Sequence, residues 1–321
     1  MNPPRVIPPS SAGTVGVLGS LVHDTVVPIE GDESEYAGWG GIAYSLEAFE
    51  AALPDGWKVR PIVKVGEDLS EDALAYLDAD AADETGSGVM VVPGPTHRVT
   101  LRYLDREERE ERLSPGPPPW EWAELAPRVL DCDALYVNFI TGMEMDLATV
   151  TRLRSEFSGP SYADLHSLFL AVEEDGRRTS RSLDRWREWV RAFDVVQVNE
   201  REFELIEGGW RRSMEAVLEL LGDAPQLVAV TRGTRGATAL FEGEERNVPA
   251  VPGDPSGRPT GCGDVWGAAF FARLLAGDSV EDGMRVAARL ASRRLGHAGA
   301  EGLAEHLAGP GPVSPGEGDR P

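Results

Sequence analysis

Residues Arg258 to Gly277 read RPTGCGDVWGAAFFARLLAG. Proline and glycine stiffen the approach, and from Asp264 onward Trp266, Phe270 and Leu274 recur at helical spacing. Gly261, Cys262 and Gly263 therefore fall at a helix N-terminus, where backbone N–H groups lack intrahelical partners and the dipole favours an anion. Glycine lets such a backbone approach a phosphate closely. Asp264 then stands one step from the bound anion, placed to take a proton from an attacking hydroxyl. The dipole adds only about 0.3–1 kcal/mol toward keeping it ionised. A plainer reading fits the same residues, with Asp264 a helix cap beside a glycine turn.

Working outward, short apolar runs alternate with amphipathic helices. TVGVLG (14–19), VRPIVKV, ALYVNFI, GPSYADL, DVVQVN and QLVAVT are strand candidates. Ile42, Leu46, Phe49 and Leu53 keep helical spacing, as do the segments 147–157, 183–190 and 213–221. Repeated β–α alternation predicts an α/β protein, a three-layer α/β/α sandwich around a mostly parallel central sheet. One domain spans 13–307, with loose Pro/Gly/Ser-rich tails at 1–12 and 308–321. Two segments break the alternation, about 24–38 and 96–105, and together they predict a small β lid over a site. The run DREEREER (105–112) reads as a solvated charged face.

The 321 residues carry 54 acidic and 31 basic side chains, and all the basic ones but Lys58 and Lys64 are arginine. The net charge of −23 repels nucleic acid and anionic membranes, so neither is expected as a partner. No apolar run approaches a membrane span, and no export signal is recognised, so a cytoplasmic location is expected. Cys132 and Cys262 stand at no metal-ligand spacing. Cys262 at a helix N-terminus predicts a lowered thiol pKa.

TGCGD resembles the C-terminal signature of the ribokinase-like (phosphofructokinase-B type) family of carbohydrate and nucleoside kinases. The resemblance makes Asp264 the catalytic base and Gly261, Cys262 and Gly263 the anion hole. It extends in order along the chain. VLGSLVHD brings a substrate-binding Asp24, and GWGGIAYS brings Gly40 and Gly41, with Ser45 where the family has Asn. KVGEDLSED follows, with Glu71 where glycine is common. Asn199 and Glu202 match the Asn-x-x-Glu motif that organises magnesium and phosphate, Glu202 acting indirectly. Thr231, Gly233 and Gly236 match the nucleotide loop. Asp164, ending a strand at the ligand crevice, is a further substrate candidate beside His166. Arg258 replaces the first aspartate of the signature. That carboxylate helps hold potassium in many relatives, so little potassium activation is expected.

Each motif also has a plainer role. Asn199 and Glu202 fit a capping pair, and Gly233 and Gly236 a hairpin turn. Asp24 fits a surface carboxylate at a strand end. Neither lysine follows a glycine, which removes P-loop enzymes, and no His-Arg-Asp loop is present. The resemblance implies an ATP- and Mg2+-dependent kinase acting on a hydroxyl of a sugar or sugar-like molecule, with pairing of two copies through the lid. A nucleoside or vitamin kinase on this fold, or a non-catalytic sugar- or nucleotide-binding descendant, are the alternatives.

Overall fold

The computed structural model describes residues 7, 11–28, 35–79, 88–104, 109–222, 226–255 and 257–309. The strands in chain order are β1 (Gly13–Gly19), β2 (Leu21–Val27), β3 (Tyr36–Gly41), β4 (Trp57–Gly66), β5 (Val89–Val92), β6 (Arg98–Tyr103), β7 (Arg109–Leu113) and β8 (Ala134–Asn138). Then come β9 (Ser161–Asp164), β10 (Leu170–Val172), β11 (Arg178–Ser180), β12 (Val195–Asn199), β13 (Leu227–Thr231), β14 (Ala237–Phe241) and β15 (Glu244–Val248). The helices are α1 (Ile42–Ala52), α2 (Ser70–Tyr76), α3 (Trp122–Val129), α4 (Leu147–Glu156) and α5 (Trp186–Arg191). They continue as α6 (Glu200–Glu207), α7 (Trp210–Leu221), α8 (Cys262–Leu275), α9 (Val280–Arg294) and α10 (Leu303–Ala308).

Nine strands form the central sheet in the order β15-β14-β13-β12-β9-β8-β1-β4-β5. All neighbours are parallel except the β13-β14-β15 meander at one edge. Strand residues alternate between two cores, as the two-residue pleat requires. Val15, Val17 and Tyr136 pack beneath α1, α8, α9 and α10, whereas Leu18, Leu135 and Val137 pack beneath α3 to α7. This is the expected α/β/α sandwich. Helix α8 is apolar almost all round and buried from Val265 to Leu275 except Arg273. It lies directly on the sheet because Gly267 has no side chain. A Cβ there would stand 2.3 Å from Gln197 Oε1.

The lid is a separate four-stranded sheet, β3-β2-β6-β7. It is larger than 24–38 and 96–105, because β7 comes from the second half of the charge run. Strand alternation turns Arg109, Glu111 and Leu113 inward, where Leu113 joins Val22, Val26, Val99, Leu101 and Tyr103 in a small apolar cluster. The rest of the run, 105–108, and residues 29–34 of the first lid segment lie outside the described residues, as do most of both tails. Ile7, in the stretch read as a loose tail, is buried in the main core.

Candidate active site

The chain moves from β1 outward to β4 and β5, and later continues on the other side of β1 with β8, β9 and β12. Carboxyl ends of strands beside such a reversal border a ligand crevice. Gly19, Asn138 and Asp164 stand in register there. Asn138 Nδ2 donates to Asp264 Oδ1 at 2.7 Å and to Ser45 Oγ at 3.2 Å. This bridge anchors the first turn of α8 over the crevice. Ser45 is fully buried, and it supports Asn138. Burial raises the pKa of Asp264, opposed by the Asn138 hydrogen bond and by the charges of His166 and Arg109.

The glycine turn is built for close approach. Gly261 caps α8 with φ +80°, and a Cβ there would stand 2.6 Å from the Tyr44 ring. Of the three expected anion-hole amides, that of Cys262 donates to Pro259 O at 3.0 Å. Among the described residues the Gly261 and Gly263 amides have no such partner. The Cys262 side chain corrects the sequence reading. Its thiol donates to Ala291 O at 3.4 Å, and burial pushes its pKa up to about 11. A helix dipole cannot outweigh that desolvation.

Behind the turn, Gln197 Nε2 donates to Gly263 O at 3.1 Å and to Asp164 Oδ2 at 2.9 Å. Tyr162 O–H donates to Gln197 Oε1 at 2.6 Å. The other Asp164 oxygen accepts from the His166 amide at 3.0 Å. Both oxygens of this buried carboxyl are thus engaged with protein, and they tie β9 to the turn. Burial, with the Glu202 charge adding, raises the Asp164 pKa to about 8.

Asp24 lies on the inward face of β2, 3% exposed. A Cβ on Gly40 would stand 1.9 Å from Asp24 Oδ2, so Gly40 makes room for this carboxylate. The second glycine, Gly41, has φ +60°. Burial raises the Asp24 pKa to about 7, the Asp264 charge adding and Arg109 opposing. Arg109 Nε donates to Glu111 Oε1 at 2.7 Å, and Arg178 Nη1 lies 3.6 Å from Glu111 Oε2. Burial works against the Glu111 charge, yet Arg109, then His166 and Arg178, hold its pKa down to about 2. Tyr103 and Thr260 share a 2.6 Å hydroxyl contact, joining the lid to the residue before the glycine turn.

On the other side, Asn199 and Glu202 form a full capping box on α6, as the plainer reading has it. Glu202 Oε1 also accepts from His166 Nδ1 at 2.5 Å, and despite burial this raises the imidazole pKa to about 9. Thr231, Gly233 and Gly236 form the β13–β14 hairpin, both glycines having positive φ. A Cβ on Gly233 would meet nothing within 4 Å, so its backbone faces open space. Arg258 makes no ion pair among the described residues. No group of three or more His, Cys, Asp or Glu among them is arranged to hold a metal ion.

Asn138, Arg109, Glu111 and Gln197 escaped the sequence reading. Only the alternation Arg109-x-Glu111-x-Leu113 carried a signal, that of a strand with one inward face.

Residues 175–306 match the model of the pfkB family carbohydrate kinases. This region belongs to that family. The pfkB region contains Asn199, Glu202, Thr231, Gly233, Gly236 and the whole Gly261–Asp264 turn, and the protein is accordingly a phosphotransferase with a hydroxyl acceptor. No curated protein matches the chain. Solved structures do. A pyrophosphate-dependent kinase in the ribokinase family, complexed with a pyrophosphate analog and myo-inositol, shares 22% identity over 91% of this chain and 98% of its own, with TM-score 0.71. The Burkholderia thailandensis nucleoside kinase in complex with inosine shares 19% over 90% and 93%, with TM-score 0.69. The Arabidopsis thaliana ribokinase complexed with ribose and ATP shares 18% over 92% and 99%, with TM-score 0.66. At these identities the likeness is one of fold, and the fold is ribokinase-like. No helix among the described residues is long and apolar enough to cross a membrane.

Proposed function

We propose that this protein transfers the γ-phosphate of ATP to a hydroxyl of a sugar or sugar-like acceptor, with Asp264 as general base. The observation that carries the reading is the Asn138–Asp264 bridge, which fixes a carboxylate directly after a turn presenting the Gly261 and Gly263 amides. In this reading the acceptor lies between the lid and the sheet, with Asp24 and the Gly40–Gly41 backbone orienting its hydroxyls. Asp164 and Ser45 act from behind, through Gln197 and Asn138. Asp264 takes the proton of the attacking hydroxyl, and the two amides receive the charge that gathers on the transferring group.

The donor lies along Asn199, Thr231, Gly233 and Gly236, where the hairpin backbone is open. Magnesium bound on the donor phosphates supplies charge neutralisation. The residues present fit a metal held mainly by phosphate and water. Both Glu202 oxygens are engaged by Asn199 and His166, so Glu202 acts on the ion only indirectly. The domain is one unit from 13 to 307, the location cytoplasmic, and two copies would pair through the lid sheet.

The test is a screen of sugars, cyclic polyols, nucleosides and pyridoxal-type alcohols, with ATP or pyrophosphate as donor. The relatives use both donors between them, so ADP and phosphate release are read separately. ATP-dependent phosphorylation of a sugar-like acceptor is the expected result. Turnover with nucleosides alone, or with pyrophosphate alone, replaces the acceptor or the donor. Ligand binding without turnover favours the non-catalytic reading.

A further inference from the structure

Arg294, the last residue of α9, is 3% exposed. Its guanidinium carbon lies 4.8 Å from the centroid of the Tyr44 ring, and one Nη donates to His297 O. Its Nε has no hydrogen-bond partner, and among the described residues it makes no ion pair. Helix C-termini favour cations, but that accounts for an exposed arginine as well as a buried one. A buried cation without a carboxylate is costly, and such groups are normally paired.

The surroundings show where the missing negative charge would arrive. The Tyr44 ring touches both Arg294 and Gly261, the glycine approaching it so closely that a Cβ has no room. The neighbouring Cys262 is held by Ala291 of the same helix α9. The charge of Arg294 is felt at Cys262, at Tyr44 and at Asp24. Arg258, which replaces the first aspartate of the signature, forms no ion pair among the described residues.

We infer that Arg294 is a built-in cation beneath the glycine turn, acting through Tyr44 to position Gly261 and Gly263 for the donor's transferring phosphate. It is a positioning residue, because its contacts are with Tyr44 and His297 and not with the turn itself. The inference rests on the kinase reading for the identity of that anion. In the absence of donor the charge has the Tyr44 ring and His297 O beside it but no carboxylate paired with it among the described residues. When a phosphate settles on the turn, the field of Arg294 favours it.

ATP and pyrophosphate are titrated by calorimetry into the wild-type protein, Arg294→Met and Arg294→Lys, with thermal unfolding measured on each. The Met variant is expected to unfold at or above the wild-type temperature, yet to bind the donor on the order of tenfold more weakly or worse. Its acceptor KM should stay within a few-fold of wild type. The Lys variant should bind donor within a few-fold of wild type, since it keeps the charge. Wild-type donor affinity in Arg294→Met would overturn the inference. So would failure of that variant to fold, which would make Arg294 a structural residue, or a loss in Arg294→Lys equal to that in Arg294→Met. If the wild-type protein binds neither donor, the kinase reading fails and the inference, which rests on it, falls with it, whereas wild-type binding that Arg294→Met leaves unchanged overturns the inference alone.

Discussion

Asn138 donates a 2.7 Å hydrogen bond to the carboxylate of Asp264 across 126 residues of chain. The bond joins the end of a central strand to the first turn of the helix that carries the glycine turn. It selects one orientation of the carboxylate and opposes the rise in pKa that burial brings. Asn138→Ala should therefore lower kcat by roughly 10–100-fold, with donor and acceptor KM changed far less. The pH optimum should also move upward, because Asp264 loses a bond that favours its charged form. An unchanged pH profile with a raised acceptor KM would make Asn138 a substrate contact instead.

Buried carboxyls make stability depend on pH in an unusual direction. The pKa values of Asp24 and Asp164 are raised from 3.8 to about 7 and about 8. Between pH 4 and these values the folded protein holds protons that the unfolded chain has released. Folding is therefore weakened as pH rises, and the loss is complete once pH passes the folded values. His166, raised from 6.5 to about 9, adds a loss in the same direction above pH 6.5. Urea melts of the ligand-free protein should show unfolding free energy falling between pH 5 and pH 9, by on the order of 2–4 kcal/mol for each of the three groups. Asp24→Asn should flatten the segment below pH 7. An equal slope in that variant would show that Asp24 is ionised throughout.

Much of the fold was legible because its signals are periodic. Apolar strands and amphipathic helices alternate from Val15 to Leu307, and the glycine turn at 261–263 marks the start of a helix whatever its function. The lid's second edge was not legible, since DREEREER has the composition of a solvated face. Only the position of β6 beside it shows that Arg109 and Glu111 point inward. The family signature points Ser45 toward the acceptor and a strand end points Asp164 there, whereas their hydrogen bonds go to Asn138 and Gln197. Asn138 and Arg294 lie 126 and 30 residues from Asp264 in the chain, and no local pattern connects them to it. Such contacts arise from sheet order and helix packing.

The thiol of Cys262 faces α9 and is held up at about 11 by burial. Alkylation at neutral pH should be slow, with most of the protein unmodified under conditions that label an exposed thiol fully. Mass spectrometry of the digested protein reads this directly. Rapid labelling of Cys262, blocked by ATP, would place its side chain on the phosphate side of the turn.

The central claim is that Asp264 takes the proton from the acceptor. The direct measurement is the single-turnover rate of phosphoryl transfer in Asp264→Asn, with donor affinity and thermal stability measured on the same preparation. The substitution keeps the shape of the side chain and removes its capacity as a base. The account predicts a rate lower by about 10²–10⁴-fold or more, with donor binding and folding preserved. A rate within a few-fold of wild type would contradict it.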